Sequence, residues 1–332
     1  MNRPSVLSLT LAAASFVHNA NASDIFVCSA GCQHATIQGA VDSSNAGDVI
    51  HIAAGTYFEN LLIPNKRLTL LGAGQDVTEI NGSDRGTVIT LGSFGDPSPA
   101  QTVSIIGVTI THGNATNGGG IFAQDTSLDL QNSIVSSNAA TTDGGAIEIV
   151  APAITSRITR SMVVHNRAGV LGGGVDVSAE SVVQIIDSSI ARNTAGLRGG
   201  GVHSEGASNT TIQGTTISDN TSQQDGGGIY LEEGLPRATM AISGSSLIGN
   251  KAAQDGGGLR TAGGHLAISA TVVARNTAGR NGGGMVEGAT LNDVFVIQNT
   301  AGGQGGGLFT AVAPAAGNTV ADNTPTDVAI DQ

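Results

Sequence analysis

Three consecutive glycines, or a close variant, recur along this chain, beginning at Gly118, Gly144, Gly172, Gly199, Gly226, Gly256, Gly282 and Gly305. An asparagine stands six residues ahead of seven of them, at Asn138, Asn166, Asn193, Asn220, Asn250, Asn276 and Asn299. The path from each triplet to the next asparagine varies from 17 to 24 residues, while the asparagine-to-glycine interval never changes. One corner of a repeating unit is therefore rigid, and the rest tolerates slack. Glycine loses more backbone freedom on folding than any other residue. A repeated triplet therefore marks a corner where positive φ, or the close approach of a neighbouring segment, excludes a Cβ.

The segments between corners, such as "GGGIYLEE", "RATMAISGS" and "SLIGN", alternate apolar and polar residues without a helical period. Three short strands per repeat of about 27 residues describe one turn of a parallel β-helix, with coils stacked ~4.8 Å apart. Each asparagine then stacks on its counterpart one turn away, donating and accepting along the axis as an amide ladder. Calcium-binding glycine repeats have a period of about nine residues with an internal Asp, so these glycines imply no calcium. The composition agrees. The chain has 49 glycines, two tyrosines, seven phenylalanines and no tryptophan, yet is 39% hydrophobic. Val, Ile, Leu and Ala, not large aromatics, build its core.

Residues 1–22 read as an export signal: Arg3 supplies a positive charge, Val6 to Val17 is mostly apolar, and "ANA" fits a cleavage site. The mature chain, 23–332, is expected to be one domain, with a cap and first coils over 23–117 and triplet coils over 118–332. An oxidising compartment lets Cys28 and Cys32 form a disulfide, a small loop that gains about 2 kcal/mol. No metal site is expected, because further Cys or His at ligand spacing are missing. "TIQGAVDSSN" predicts a short helix, capped by Thr36, that covers the open first coil. At the other end Asn323 precedes Pro325 instead of glycines, and the ladder should stop there. No β-barrel translocator or anchor segment follows, and no membrane insertion is expected.

Removing Arg3 with the leader takes the net charge from −12 to −13. Nucleic acid and anionic lipid are bound through clustered Lys and Arg. With only Lys66 and Lys251, the chain offers no such patch.

The stretch "TIQGAVDSSNAGDVIHIAAGTYFENLLIPNKRLTLLGAG" resembles the opening of pectin-lyase-like right-handed β-helix proteins, with their "IQ-A…A-GD-I-I--GTY-E" signature. "SIVSSNAATTDGGAI" and its kin are similar to the repeats of polymorphic outer membrane proteins, although Ile, Val or Leu stands here where those repeats often have Phe. The resemblance implies a right-handed parallel β-helix of about ten coils. That superfamily holds lyases, hydrolases, epimerases and adhesins, so the fold alone does not select a function.

The residue after each triplet is apolar and should point inward, so the next should point to solvent. There the chain reads Phe122, Glu148, Asp176, His203, Tyr230, Arg260, Val286 and Phe309. Two residues further, also outward, stand Glu205 and Glu232. Asp176, His203, Glu205, Tyr230, Glu232 and Arg260 thus gather on one mid-helix face, a candidate catalytic or glycan-binding site. Carboxylates there would hold a cation against a uronate, Arg260 would pair with a sugar carboxylate, and Tyr230 or His203 would move a proton. Two readings follow. The first is an adhesin-like or glycan-binding protein, secreted or surface-associated, whose partner is an extracellular polysaccharide or a cell-surface glycan or protein. The second is a uronate lyase, epimerase or hydrolase, and calcium enters only with the lyase. Other cofactors are not expected. His51 reads as an outward, solvated strand residue. His112 and His165 fall near corners without forming a ligand set.

Overall fold

A computed structural model describes residues 22–92, 101–150, 155–232, 237–286, 288–311 and 313–330. All of the expected export signal except Ala22 lies outside these residues, as do residues 233–236 of the long return after Glu232. The chain is an all-β parallel solenoid of about 10 turns with one short helix near its N-terminus. Every strand pairs in parallel with its counterparts in the neighbouring turns.

One turn shows how the sequence makes the coil. Strand Ser127–Gln131 leads through a corner at Asn132 and Ser133 into strand Ile134–Ser136. A second corner at Ser137 and Asn138 leads to a two-residue strand, Ala139–Ala140. The triplet turn then delivers strand Ile147–Val150. Among the described residues three sheets of 11 strands result, plus a fourth of 8 two-residue strands. The sequence alone predicts three strands per repeat. The fourth is too short to show any alternation, and it follows directly from the fixed asparagine.

The glycine triplet has two separate causes. Its first glycine always has positive φ, between 52° and 68°, from Gly118 to Gly305. Its second and third lie against the next turn. A Cβ on Gly201 would stand 2.7 Å from the Gly228 carbonyl oxygen and 3.0 Å from the Asn220 amide. Strand pairing brings these backbones together at every turn, so no side chain fits between them.

The asparagines form the expected ladder, buried along the axis. Asn220 Nδ2 donates to Asn250 Oδ1 at 3.0 Å and to the Ile190 carbonyl at 2.9 Å. Its Oδ1 accepts from the Asn193 backbone and side-chain amides at 2.9 and 3.1 Å. The ladder runs from Asn138 to Asn323, whose amide donates to Asp327 where the glycines end.

Inward residues Ile121, Ile147, Val175, Val202, Ile229, Leu259, Met285 and Leu308 join one continuous core. Helix Ile37–Ser43 closes the first coil: Thr36 accepts from the Gly39 amide, and Ile37, Ala40 and Val41 are buried. Glu59 anchors it by accepting from the Ile37 and Gln38 amides at 2.8 and 2.9 Å. Cys28 and Cys32 are disulfide-bonded beside this end.

Candidate functional site

The backbone register places the candidate row as expected. Glu148, Asp176, His203, Tyr230 and Arg260 are partners in successive turns of one sheet. Their surroundings overturn the expectation of solvent. Asp176 is 2% exposed, His203 0% and Tyr230 3%. These side chains do point away from the apolar core, but the preceding triplet turn folds back over them. A Cβ added to Gly199 would lie 2.8 Å from the His203 Cβ, and one on Gly226 equally close to the Tyr230 Cβ. Residues just before the triplets, Arg198, Asp225 and Asp255, complete the cover. Glu205, Glu232 and Arg260 remain half-buried at its margin.

Beneath the cover the row is a connected polar network. His203 Nδ1 lies 2.7 Å from Asp176 Oδ1, and Nε2 lies 3.1 Å from Glu232 Oε2. Arg198 donates to Glu232 Oε1 at 2.8 Å and sits 5.0 Å above the Tyr230 ring. The His203 and Tyr230 rings stack at 5.7 Å. Arg260 bridges Asp225 and Asp255 at 2.9 and 2.6 Å. Arg280 closes on Asp255 from the next turn.

These contacts set the protonation states. Burial disfavours a charged His203, but hydrogen bonds with Asp176 and Glu232 outweigh it and raise its pKa to about 9. The same hydrogen bond holds the Glu232 carboxyl below its usual range. Glu148 behaves oppositely. Burial, then the charges of Asp176, Asp143 and Glu205, push it up to about 8. Burial raises Asp143, Glu205 and the Tyr230 phenol as well. With a carboxylate on each ring nitrogen, imidazolium is the form that satisfies both bonds.

Sequence reasoning missed Glu148 as a member of the network, together with Asp143, Arg198, Asp225 and Asp255. The last four each stand immediately before a triplet, five residues after a ladder asparagine or its equivalent. That fixed offset was the available signal. The other histidines are elsewhere. His51 is not simply solvated: it contacts Asp24 at 2.7 Å and stacks on Phe26. His112 and His165 occupy corners with φ of 55° and 60°.

A second surface contrasts with the covered row. Nine consecutive strands, from Thr109–Thr111 to Thr319–Ala321, form a face without one charged side chain. Its leading positions read Thr109, Ile134, Met162, Ser189, Thr216, Ser246, Val272, Phe295 and Thr319, all at least partly exposed. At ~4.8 Å per turn this strip is about 38 Å long and, at three residues per strand, about 10 Å wide.

Residues 214–232 match the Chlamydia polymorphic membrane protein (Chlamydia_PMP) repeat, a span holding Asn220, the triplet at Gly226, Tyr230 and Glu232. Solved structures similar to the chain include pectin methylesterase from carrot, at 12% identity and a TM-score of 0.42, covering 87% of this chain and 88% of that one. Pectate lyase Pel9A is similar at 13% identity and a TM-score of 0.41, covering 93% and 78%. No curated protein matches the chain.

Proposed function

We propose that this protein is a secreted or surface-associated binding protein of the adhesin-like class, without catalytic activity, whose ligand is a neutral extended glycan. The observation that carries this reading is the burial of Asp176, His203 and Tyr230 at 0–3% exposure. A side chain that moves a substrate proton must come within hydrogen-bond reach of it. His203 is hydrogen-bonded to Asp176 and Glu232, and the Tyr230 ring is held between His203 and Arg198.

The uncharged strip is the surface left for recognition. Its strands carry no cation for a uronate, phosphate or nucleic acid; exposed Arg160, Arg192 and Arg275 stand at the corners beside it. Its Ser and Thr hydroxyls and its Ile, Met, Val and Phe side chains match the hydroxyl groups and C–H faces of a neutral sugar chain. A strip of about 400 Å² falls well short of the ~800 Å² per partner that a stable protein–protein interface buries. It suits a polymer lying along the turns.

A glycan array probed with the mature chain tests this reading. Binding to a neutral polysaccharide, lost in Thr216→Lys and kept in Thr211→Lys on the neighbouring sheet, is expected. Binding that survives Thr216→Lys, or binding confined to uronate polymers, overturns it.

A further inference from the structure

We propose that His203, Glu205 and Glu232 form a binding site for one divalent transition-metal ion of the zinc or manganese class. This departs from the sequence expectation of no metal, because the three ligands come together only through the turn register. One side-chain nitrogen or oxygen from each lies within 4.8 Å of the other two. Their outer atoms are already held from behind. Asp176 takes His203 Nδ1 at 2.7 Å, and Arg198 takes Glu232 Oε1 at 2.8 Å. His203 Nε2 and Glu232 Oε2 are therefore left facing each other at 3.1 Å. A carboxylate behind the far nitrogen of an imidazole is the usual support of a metal-bound histidine. Ligands of a four-coordinate ion, at ~2.0–2.2 Å from it, stand about 3.3–3.6 Å apart. The facing pair already has nearly that spacing, and Glu205 needs to approach by about an ångström.

The site rests on rigid elements. Glu205 follows strand Val202–Ser204 and Glu232 follows strand Ile229–Leu231, which pair in register. The two carboxylates thus leave the same position of adjacent turns, and an ion between them braces one turn to the next. The Glu205 carboxylate accepts no hydrogen bond from the described residues, whereas Glu232 beside it accepts from Arg198.

A second observation is the crowding of carboxyl groups along this row. Glu148, 5% exposed and one rung beyond Asp176, has a buried Oε2 without a hydrogen-bond partner. Glu148 meets this by holding its proton, its pKa standing at about 8, while Asp143, Asp176, Glu205 and Glu232 crowd around Arg198 and His203 as the cations among them. Buried negative charge in excess of its cations is costly, and a divalent ion offsets it. One imidazole with two carboxylates suits zinc or manganese better than calcium, which takes six to eight oxygens. On binding, the ion replaces the proton on His203 Nε2, which leaves to water. The half-buried margins of Glu205 and Glu232 let water fill the remaining coordination position.

Isothermal titration of Zn²⁺ into the whole mature chain, made without a histidine tag and stripped with chelator, tests the site. Visible absorption of Co²⁺ provides a second readout of tetrahedral ligation. One ion per chain is expected, with a rise in melting temperature on loading. Glu205→Gln should abolish binding while leaving the fold intact, since that side chain holds nothing else. Asp176→Asn should weaken binding roughly 10- to 100-fold, and Asp129→Asn, on another sheet, should leave it unchanged. No one-to-one binding of Zn²⁺ or Mn²⁺ by the folded protein, or Glu205→Gln binding as tightly as wild type, would overturn the proposal.

Discussion

Each turn of this solenoid bends at two corners built on the same backbone plan with different chemistry. Both start on a residue with positive φ: Ser137, His165, Arg192 and Asp219 at one, Asn132, Arg160 and Asp187 at the other. A buried polar residue follows. At the first corner it is asparagine without exception from Asn138 to Asn323. At the second it is a hydroxyl: Ser133, Ser161, Ser188, Thr215, Ser245 and Thr271, linked as Ser188 N–H to Thr215 Oγ1 at 3.3 Å and Thr215 N–H to Ser245 Oγ at 3.2 Å. Val294 stands in this position in a later turn, and its amide donates to Asn318 Oδ1 instead. The difference teaches why one ladder is rigid in sequence. An amide carries two N–H donors and an acceptor oxygen on separate atoms, so Asn220 reaches both neighbouring turns at once, where a hydroxyl has a single proton to give. A hydroxyl makes fewer bonds, and a turn near the end does without it.

The largest expected effect comes from breaking the amide ladder. Asn220→Ala removes four hydrogen bonds: it leaves the Asn193 backbone N–H without its acceptor and takes one partner each from the Ile190 carbonyl, Asn193 Nδ2 and Asn250 Oδ1, at about 1 kcal/mol per further lost bond. Each buried group left unpaired costs about 1–3 kcal/mol, so a loss of more than ~3 kcal/mol is expected in chemical denaturation. Thr215→Val sharpens the contrast. It keeps the volume, loses one hydroxyl and leaves the Ser188 N–H unpaired, for a cost of about 1–3 kcal/mol in the same measurement. Equal losses would mean that the two corners are not different in kind.

A smaller effect, one of pH, contrasts the two kinds of buried charge. Glu148 has a folded pKa raised from 4.5 to about 8. The folded state therefore holds its proton more tightly, and the stability this group contributes is full below about pH 4.5. That contribution is lost as pH rises towards 8. Glu148→Gln should raise the melting temperature at pH 8.5 and change it little at pH 4. An unchanged difference between the two pH values would show that folding leaves the Glu148 pKa at its ordinary value.

Much of the fold was legible. A constant asparagine-to-glycine interval specified the corner, and the residue after each triplet specified the inward face. The helix Ile37–Ser43 was readable from Thr36 and its apolar spacing. The hydroxyl ladder was not read, because Ser and Thr are common in strands and its first members sit among other hydroxyls, as in "DSS" and "GTT". The candidate site was legible only as a list. Strand alternation separates core side from outer side, yet it cannot tell that a triplet turn folds back over the outer side. Asp176, His203 and Tyr230 stand in the row that strand alternation predicts, but they are buried where it predicts solvent. Their partners Arg198 and Asp225 belong to a turn whose path depends on the positive φ of the following glycine.

The most direct test of the sealed row is turnover. Polygalacturonate and alginate are incubated with the purified mature chain, with and without zinc or calcium, and the ultraviolet absorbance of unsaturated uronates and the release of reducing ends are followed. The account predicts no change in either signal under any of these conditions. A steady rise that Tyr230→Phe or Arg260→Ala abolishes would show that the row opens to substrate, and would contradict it.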